Sequence, residues 1–369
     1  MITIGPEIDL SIPDIDELIE ELRIYHSIYS PLYRRSEQGK HAFDYLHGLL
    51  LDIPRKSIEP MVIELQGHAD GNAIRAQQQF IGQGGWEDTA ILRRHWQEVD
   101  QSIGEADGVI IMDGSDFPKK GNESVGVKRQ YCGQLGKRAN CQAGVFLAYA
   151  SSKGRTLLDR RLYMPEEWLS DEAYAKRRER YGVPGDLSFQ TKQELAWQML
   201  TVIENQKQLR YGWVMGDEAF GRDSALLDKI ADSGKYYFME VPSDTHVWHS
   251  LPATEIPAWS GKGRKPTRQR LIAGAEEAKQ VADIAQSITQ WKPYAIKEGA
   301  KGPMMAEFAF QRVINVRGSL PGTEVWLVLR RNIQTNEIKF YVSNAPKETS
   351  TTALVHKTGM RWPIETCLE

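Results

Sequence analysis

Three acids, each in a separate context, are the side chains in this sequence best suited to chemistry. In GVIIMDGSDFPKKG a β-branched run leads directly to Asp113, with Asp116, Lys119 and Lys120 behind it. A carboxylate at the mouth of a hydrophobic strand is costly to bury alone, so it must be paired or hold something positive. YGWVMGDEAFG repeats the pattern: Val214 and Met215 belong to a buried strand, Gly216 permits a close approach, and Asp217 follows. The third acid, Glu365 in RWPIETCLE, falls on a closing helix with Arg361 one turn earlier on the same face. Two aspartates on neighbouring strands and a longer Glu arm would make an oxygen-only ligand set. Without His or Cys, such a set suits Mg2+ or Mn2+ rather than zinc. Two such ions about 4 Å apart can activate a water or a 3'-hydroxyl and stabilise the departing oxygen in phosphodiester displacement.

Other acids in these stretches have ordinary structural readings. An Asp after a strand is commonly a turn former or a helix cap. Asp116 reads as shaping its loop, and Asp223 as an acid in the first turn of a helix, where it favours the dipole. Glu218 follows Asp217 directly and should point elsewhere, whereas Glu369, four residues beyond Glu365, is a rival for its role.

The elements that must position these acids follow from periodicity. From about Ile15 to Gln101 the apolar residues recur at helical spacing, as in Ala42, Leu46, Leu49 and Leu50, and Pro54, Pro60 and the glycines near 82–85 divide the helices. At Gly108 the pattern turns to short apolar runs joined by Gly-rich turns, which predicts three antiparallel strands up to Ser151. Helix (Thr191 to Gln208), strand, helix (Arg222 to Ser233) and strand (YYFMEVP) then alternate, as in an α/β layout with a mixed sheet. A Gly-, Pro- and base-rich stretch from Ser243 to Arg270 precedes a helix predicted over 275–290. Strand-like runs at FAFQRVINV, EVWLVLRR and IKFYVSNA come before a last helix from Thr351. The expected divisions are a helical region at 1–105, a core at 106–242, a β-rich insertion at 243–348 and a final helix at 349–369.

At 369 residues the chain has room for about two packed units. With 41% hydrophobic and 26% charged residues it should fold. Its apolar runs fall well short of the roughly 20 residues that a membrane span needs. The first 23 residues carry seven acids against one Arg, unlike a signal peptide, and three dispersed cysteines fit a reducing compartment, so a cytoplasmic address is expected. A net charge of −3 argues against a uniformly basic nucleic-acid coat but leaves room for local basic surfaces.

Taken in order, DGSDFPKKG, then SVGVKRQYCGQLGKRANCQAGVFLA, then GDEAFGR and RWPIE resemble the DDE transposases of bacterial insertion sequences, specifically the IS701 group of the IS4-like set. The resemblance covers roughly residues 30 to 369. It implies a ribonuclease-H-like catalytic domain, a β-rich insertion between the second Asp and the Glu, and a metal-dependent nuclease and strand-transfer activity using Mg2+ or Mn2+. Carried over residue by residue, the triad is Asp113, Asp217 and Glu365. In the wider set's closing signature, Arg361 and Glu365 match, Thr358 stands where a Tyr is usual, and the position of a closing Lys falls beyond Glu369. A catalytic helix cut short is therefore expected.

Contacts to double-stranded DNA, both element ends and target, are expected from basic residues around the first Asp block (Lys119, Lys120, Lys128, Arg129), from the loop GKGRKPTRQR (Lys262, Arg264, Lys265, Arg268) and from Arg361. Arg361 and Lys119 would orient phosphate or ligands. The helical N-terminal region would read terminal repeats. A homodimer on DNA is expected from the family, in a prokaryotic cytoplasm and at the nucleoid when DNA-bound. Trp248, Trp259 and Trp291 lie in or near the insertion and are expected mainly as core residues, with base stacking as the alternative. Two rival functions are a catalytically incomplete, transposase-derived DNA-binding protein or repressor, and a metal-dependent phosphohydrolase of small substrates. The second of these leaves the basic insertion without a purpose.

Overall fold

The computed structural model describes residues 12–299 and 302–368, with side chains over 17–296 and 302–368. The chain divides into two compact units, 1–98 and 99–369. In the first unit, α1 (Ile12–Ser27), α2 (Ser36–Leu50), α3 (Ile58–Gln66) and α4 (Gly71–Gln83) are followed by α5 (Asp88–Ile103), whose last residues belong to the second unit. Asp70 caps α4 through its carboxylate, and α3 ends on Gly67 in the left-handed region. The buried Gln77 ties α4 to α2 by donating to the His41 carbonyl at 2.9 Å and meeting the His41 ring at 3.0 Å.

The second unit begins with β1 (Val109–Pro118), β2 (Lys128–Cys132), β3 (Lys137–Ala150) and β4 (Arg155–Tyr163), then short α6 (Glu166–Ser170) and α7 (Ala175–Arg180). Next come α8 (Lys192–Gln206), β5 (Trp213–Gly216), α9 (Glu218–Gly221), α10 (Ser224–Asp232) and β6 (Tyr236–Val241). The region expected as an insertion holds β7 (His246–Trp248), β8 (Thr254–Glu255), β9 (Arg270–Leu271), β10 (Lys279–Gln280), α11 (Val281–Ser287), β11 (Lys292–Gly299), β12 (Gly302–Arg317), β13 (Leu320–Arg331) and β14 (Ile338–Ser343). The chain closes with α12 (Thr351–Gly359) and α13 (Trp362–Leu368).

Twelve of the strands form one mixed sheet in the order β10-β7-β12-β13-β14-β6-β5-β1-β3-β2, with β4 also on β3 and β11 also on β12. At its centre β1, β5 and β6 run parallel, and β3 is antiparallel to both β1 and β4. This five-strand arrangement, an antiparallel meander continued by two parallel strands beyond β1, is the ribonuclease-H-like α/β layout expected. The strands of the region expected as an insertion extend the same sheet, because β14 pairs antiparallel with β6.

Four strands, not three, precede α8: β4 is added after the three expected up to Ser151. The helix expected over 275–290 is confined to α11. The residues before it are drawn into pairing with β7, and the Trp248 indole donates to the Glu276 carbonyl at 2.9 Å. The last helix is broken in two at Met360 and Arg361, with Pro363 in the first turn of α13, where its missing N–H costs nothing.

The core that fixes the centre lies on one face of the sheet. Val109 and Ile111 of β1, Trp213 and Met215 of β5 and Phe238 of β6 pack with Leu354 and Val355 of α12 and Ile364 of α13. α8 opens on a capping box in which Thr191 and Glu194 each accept the other's backbone N–H. The buried Lys357 of α12 donates to the Asp107 carbonyl at 3.0 Å and lies over the Trp213 ring, which ties the closing helices to the entrance of β1. Burial pushes its ammonium below its ordinary value.

Gly221 shows how tightly α9 lies on β6: a Cβ there would stand 1.9 Å from the Glu240 carbonyl oxygen. Gly221→Ala must therefore lift α9 off the strand, at about 1–3 kcal/mol. Gly121→Ala, with no atom near the added carbon, should stay within about 0.5 kcal/mol of the parent. Urea denaturation of the two variants checks this difference.

Candidate active site

Strand register brings the acids together. Met112 of β1 pairs with Gly216 of β5, and Gly216 pairs with Met239 of β6. The next residue on each strand is Asp113, Asp217 and Glu240, three acids one step beyond the last paired rung of three parallel neighbours. Side chains alternate along a strand, so Asp113 shares the face of Ile111, Asp217 that of Met215 and Glu240 that of Phe238. That is the face covered by α12 and α13. Buried Ile364 anchors α13 to this core, and its neighbour Glu365 lies near enough to Asp113 to act on its charge.

Arg361, in the break between α12 and α13, reaches three of the four acids. Its Nη2 lies 2.7 Å from Glu365 Oε1, its Nη1 3.6 Å from Asp113 Oδ2, and its Nε 3.9 Å from Glu240 Oε2. Lys339 of β14 pairs with the other oxygen of Glu240 at 2.8 Å. Asp217 caps α9, accepting from Ala219 N at 2.9 Å and Phe220 N at 3.4 Å through one carboxylate oxygen. Gly114 N donates to Asp113 at 2.7 Å.

The electrostatics follow from this crowding. Burial and the nearby Asp217 push the Asp113 carboxyl up to about 6, with Glu365 adding to the effect while the Gly114 N–H and Arg361 oppose it. For Arg361, burial favours losing the proton, but Glu365, Asp113, Glu240 and Asp217 together outweigh it and hold the guanidinium charged. Asp113 thus carries more negative surroundings than Arg361 cancels, an environment suited to a divalent cation with oxygen ligands. Among the described residues no three His, Cys, Asp or Glu side chains stand close enough to share one ion, and Glu365 is held by Arg361 instead. The donor chemistry therefore fits a metal at Asp113 and Asp217, with Glu365 adjacent.

The remaining expected residues are dispersed. Lys119 follows Asp113 by six residues, about 20 Å along an extended strand, and its backbone N–H bonds the Asn140 carbonyl. Lys120 and Arg129 are exposed, and Lys128 is ion-paired with Glu167. Lys262, Arg264, Lys265 and Arg268 are exposed in the segment between β8 and β9. Asp116 accepts from Gly133 N at 2.7 Å and Asp223 caps α10, both structural roles as expected. Trp248 is buried, Trp259 is exposed, and Trp291 lies under the Arg331 guanidinium at 4.3 Å. Cys132 and Cys141 are buried thiols. Glu240 escaped the motif reading; its signal was an acid inside the apolar run YYFMEV.

A family model described as DDE superfamily endonuclease matches residues 28–303 of this chain, a span that holds Asp113 and Asp217. The chain belongs to the DDE superfamily endonucleases. It is 24% identical over 217 residues to a probable transposase for insertion sequence element IS701 from Microchaete diplosiphon, over 58% of this chain and 52% of that protein. The chain thus spans about half the length of the relative it matches. Both findings bear out the resemblance drawn from the motifs. Among solved structures, the NurA nuclease from Sulfolobus solfataricus overlays with a TM-score of 0.33 at 11% identity, covering 86% of this chain and 91% of that one. No described helix is long and apolar enough to cross a membrane.

The raised Asp113 pKa has a definite sign in folding. Its folded value, about 6, exceeds the ordinary 3.8, so the folded state binds the proton more tightly and ionisation costs stability. The cost is absent below about pH 4, grows between pH 4 and 6, and is complete above. Asp113→Asn should then stabilise the metal-free protein at pH 7.5 by up to about 3 kcal/mol and change little at pH 4. Urea denaturation in chelator at both pH values reads this out; equal gains at the two would refute it.

Proposed function

We propose that this chain is a DDE transposase: it binds its element's terminal inverted repeats and performs metal-dependent cleavage and strand transfer of double-stranded DNA. The observation that supports the reading is the neighbouring placement of Asp113 and Asp217, each one residue beyond the Met112–Gly216 pair of the parallel strands β1 and β5, in a family of endonucleases. Asp113 and Asp217 would hold Mg2+ or Mn2+, two ions in all, and Glu365 would be the third acid of the ligand set. When bound, the cations supply Lewis-acid charge to the phosphodiester transition state. Arg361, freed from the carboxylates, offers its planar fork of donors to a phosphate oxygen. Glu240, held by Lys339, keeps Arg361 within reach of the centre. Lys119, Lys120 and Arg129 act on flanking phosphates, as do Lys262, Arg264, Lys265 and Arg268 from their loop. The N-terminal helices recognise the element ends, and two copies pair on DNA.

A second reading has its own support in the Arg361–Glu365 pair and the lack of a three-acid group among the described residues. It makes the chain a catalytically incomplete, transposase-derived DNA-binding protein or repressor. Incubating the chain with end-containing duplex DNA and Mg2+ or Mn2+, beside a gel shift, separates the two. The transposase reading expects nicking that chelator abolishes and that Asp113→Ala or Asp217→Ala lowers by about 10²–10³-fold or more. Nicking left intact in both variants would overturn the carboxylate assignment. Binding without any cleavage by the parent would establish the second reading.

A further inference from the structure

We infer that the β2–β3 hairpin is the docking strip for duplex DNA flanking the cleaved phosphodiester; this deepens the nuclease reading and rests on it. The pairing of β1 with β3 runs without a break from Val109↔Ala150 to Pro118↔Cys141, and that of β2 with β3 from Lys128↔Cys141 to Cys132↔Lys137. Because side chains alternate and paired residues share a face, the face of Asp113 can be followed outward. Phe146 pairs with Asp113, and Phe117 meets Phe146 edge to face at 6.2 Å on that side. The same parity assigns Asn140 with Arg129, and then Arg138 with Tyr131, to this face. Lys128 has the opposite parity, and its charge is taken up by Glu167.

Three properties of the strip fit a polyanion. Neither β2 nor β3 contains an acid. Arg129 and Arg138 are exposed and make no ion pair with any described residue. Between them Tyr131 leaves 64% of its surface in solvent, directly across from Arg138. The connection from β1 to β2 crosses β3 on this face, pinned where Asn140 donates to the Gly121 carbonyl at 2.7 Å and Gln142 to the Val125 carbonyl at 2.6 Å. Lys120, exposed in this connection, follows Lys119, whose N–H bonds the Asn140 carbonyl, so it stands at the level of Arg129; Glu123 in the same connection is paired with Arg180. Arg138 lies eight residues along β3 from Phe146, about 27 Å from the level of Asp113. That reach corresponds to about eight base pairs of duplex at 3.4 Å each. A duplex with its scissile phosphate at Asp113 and its axis along β1 would lay its backbone over Lys120 and both arginines, with the Tyr131 ring against the sugars.

The test measures binding of the full chain to a duplex in chelator across a salt series, and cleavage of the same duplex with Mn2+. In the double variant Arg129→Ala/Arg138→Ala the slope of log affinity against log salt should fall by about 1.8, because two phosphates are no longer neutralised. Cleavage should show a raised KM with kcat retained. Tyr131→Ala should weaken binding with the slope unchanged, and Arg129→Lys/Arg138→Lys should restore the slope; an unchanged melting temperature shows that the variants fold. If the parent cleaves but the double Ala variant keeps the parental slope and KM, the strip is wrong and the nuclease reading stands. If the parent never cleaves while the double Ala variant still loses slope, the strip stands and the nuclease reading fails.

Discussion

The structure of the second unit turns on a concentration of like charge on the neighbouring strands β1, β5 and β6, one step beyond their last mutual pairing. Three carboxylates, Asp113, Glu240 and Glu365, lie within 3.9 Å of one guanidinium, Arg361, and Asp217 follows the neighbouring strand. Such an arrangement persists only if the surrounding fold over-determines it, because each acid would gain by moving into water. The surroundings do so here. The apolar residues immediately behind the acids are buried, Gly221 allows α9 to lie on the Glu240 backbone, and Ile364 anchors the helix that carries Glu365. The remaining imbalance falls on Asp113, whose carboxyl is pushed up by burial and by Asp217.

The break between α12 and α13 is part of the same design. A continuous helix from Thr351 would carry Arg361 and Glu365 along one cylinder. The interruption at Met360 and Arg361 instead lets α12 pack on the sheet through Leu354 and Val355, while α13 starts afresh with Ile364 as its anchor. The i,i+4 pair between Arg361 and Glu365 survives the break, so the cation and the acid act as one unit facing the strand ends.

Much of this was legible in the sequence. The runs before Asp113 and Asp217 read as strands because they are short, apolar and β-branched, and the 3.6-residue spacing of Leu195, Met199 and Ile203 marked α8. What was not legible has physical reasons. β4, RTLLDRRLY, is an outer strand whose charged residues hide its alternation, so the pattern did not mark it as a strand. The proximity of Glu240 depends on the register of β6 against β5, which local pattern does not encode. The ion pairs of Arg361 with Asp113 and Glu240 join residues distant in sequence, so only its i,i+4 relation to Glu365 was visible from spacing. The span expected as helix at 275–290 failed because β7 competes for its first residues through main-chain pairing.

The continuity of the twelve-stranded sheet also determines where it stops. Its outermost strands are β10 and β11 on one side and β2 and β4 on the other. β10 has only two residues, β11 carries Lys292 and Pro293, β2 carries Lys128 and Arg129, and β4 carries Arg155, Arg160 and Arg161. Shortness, proline and dense positive charge are the means by which proteins deter strand-to-strand growth into polymers. Insertion of β14 beside β6 removes from the margin the one apolar strand, YYFMEV, that would otherwise have offered a sticky template to another copy.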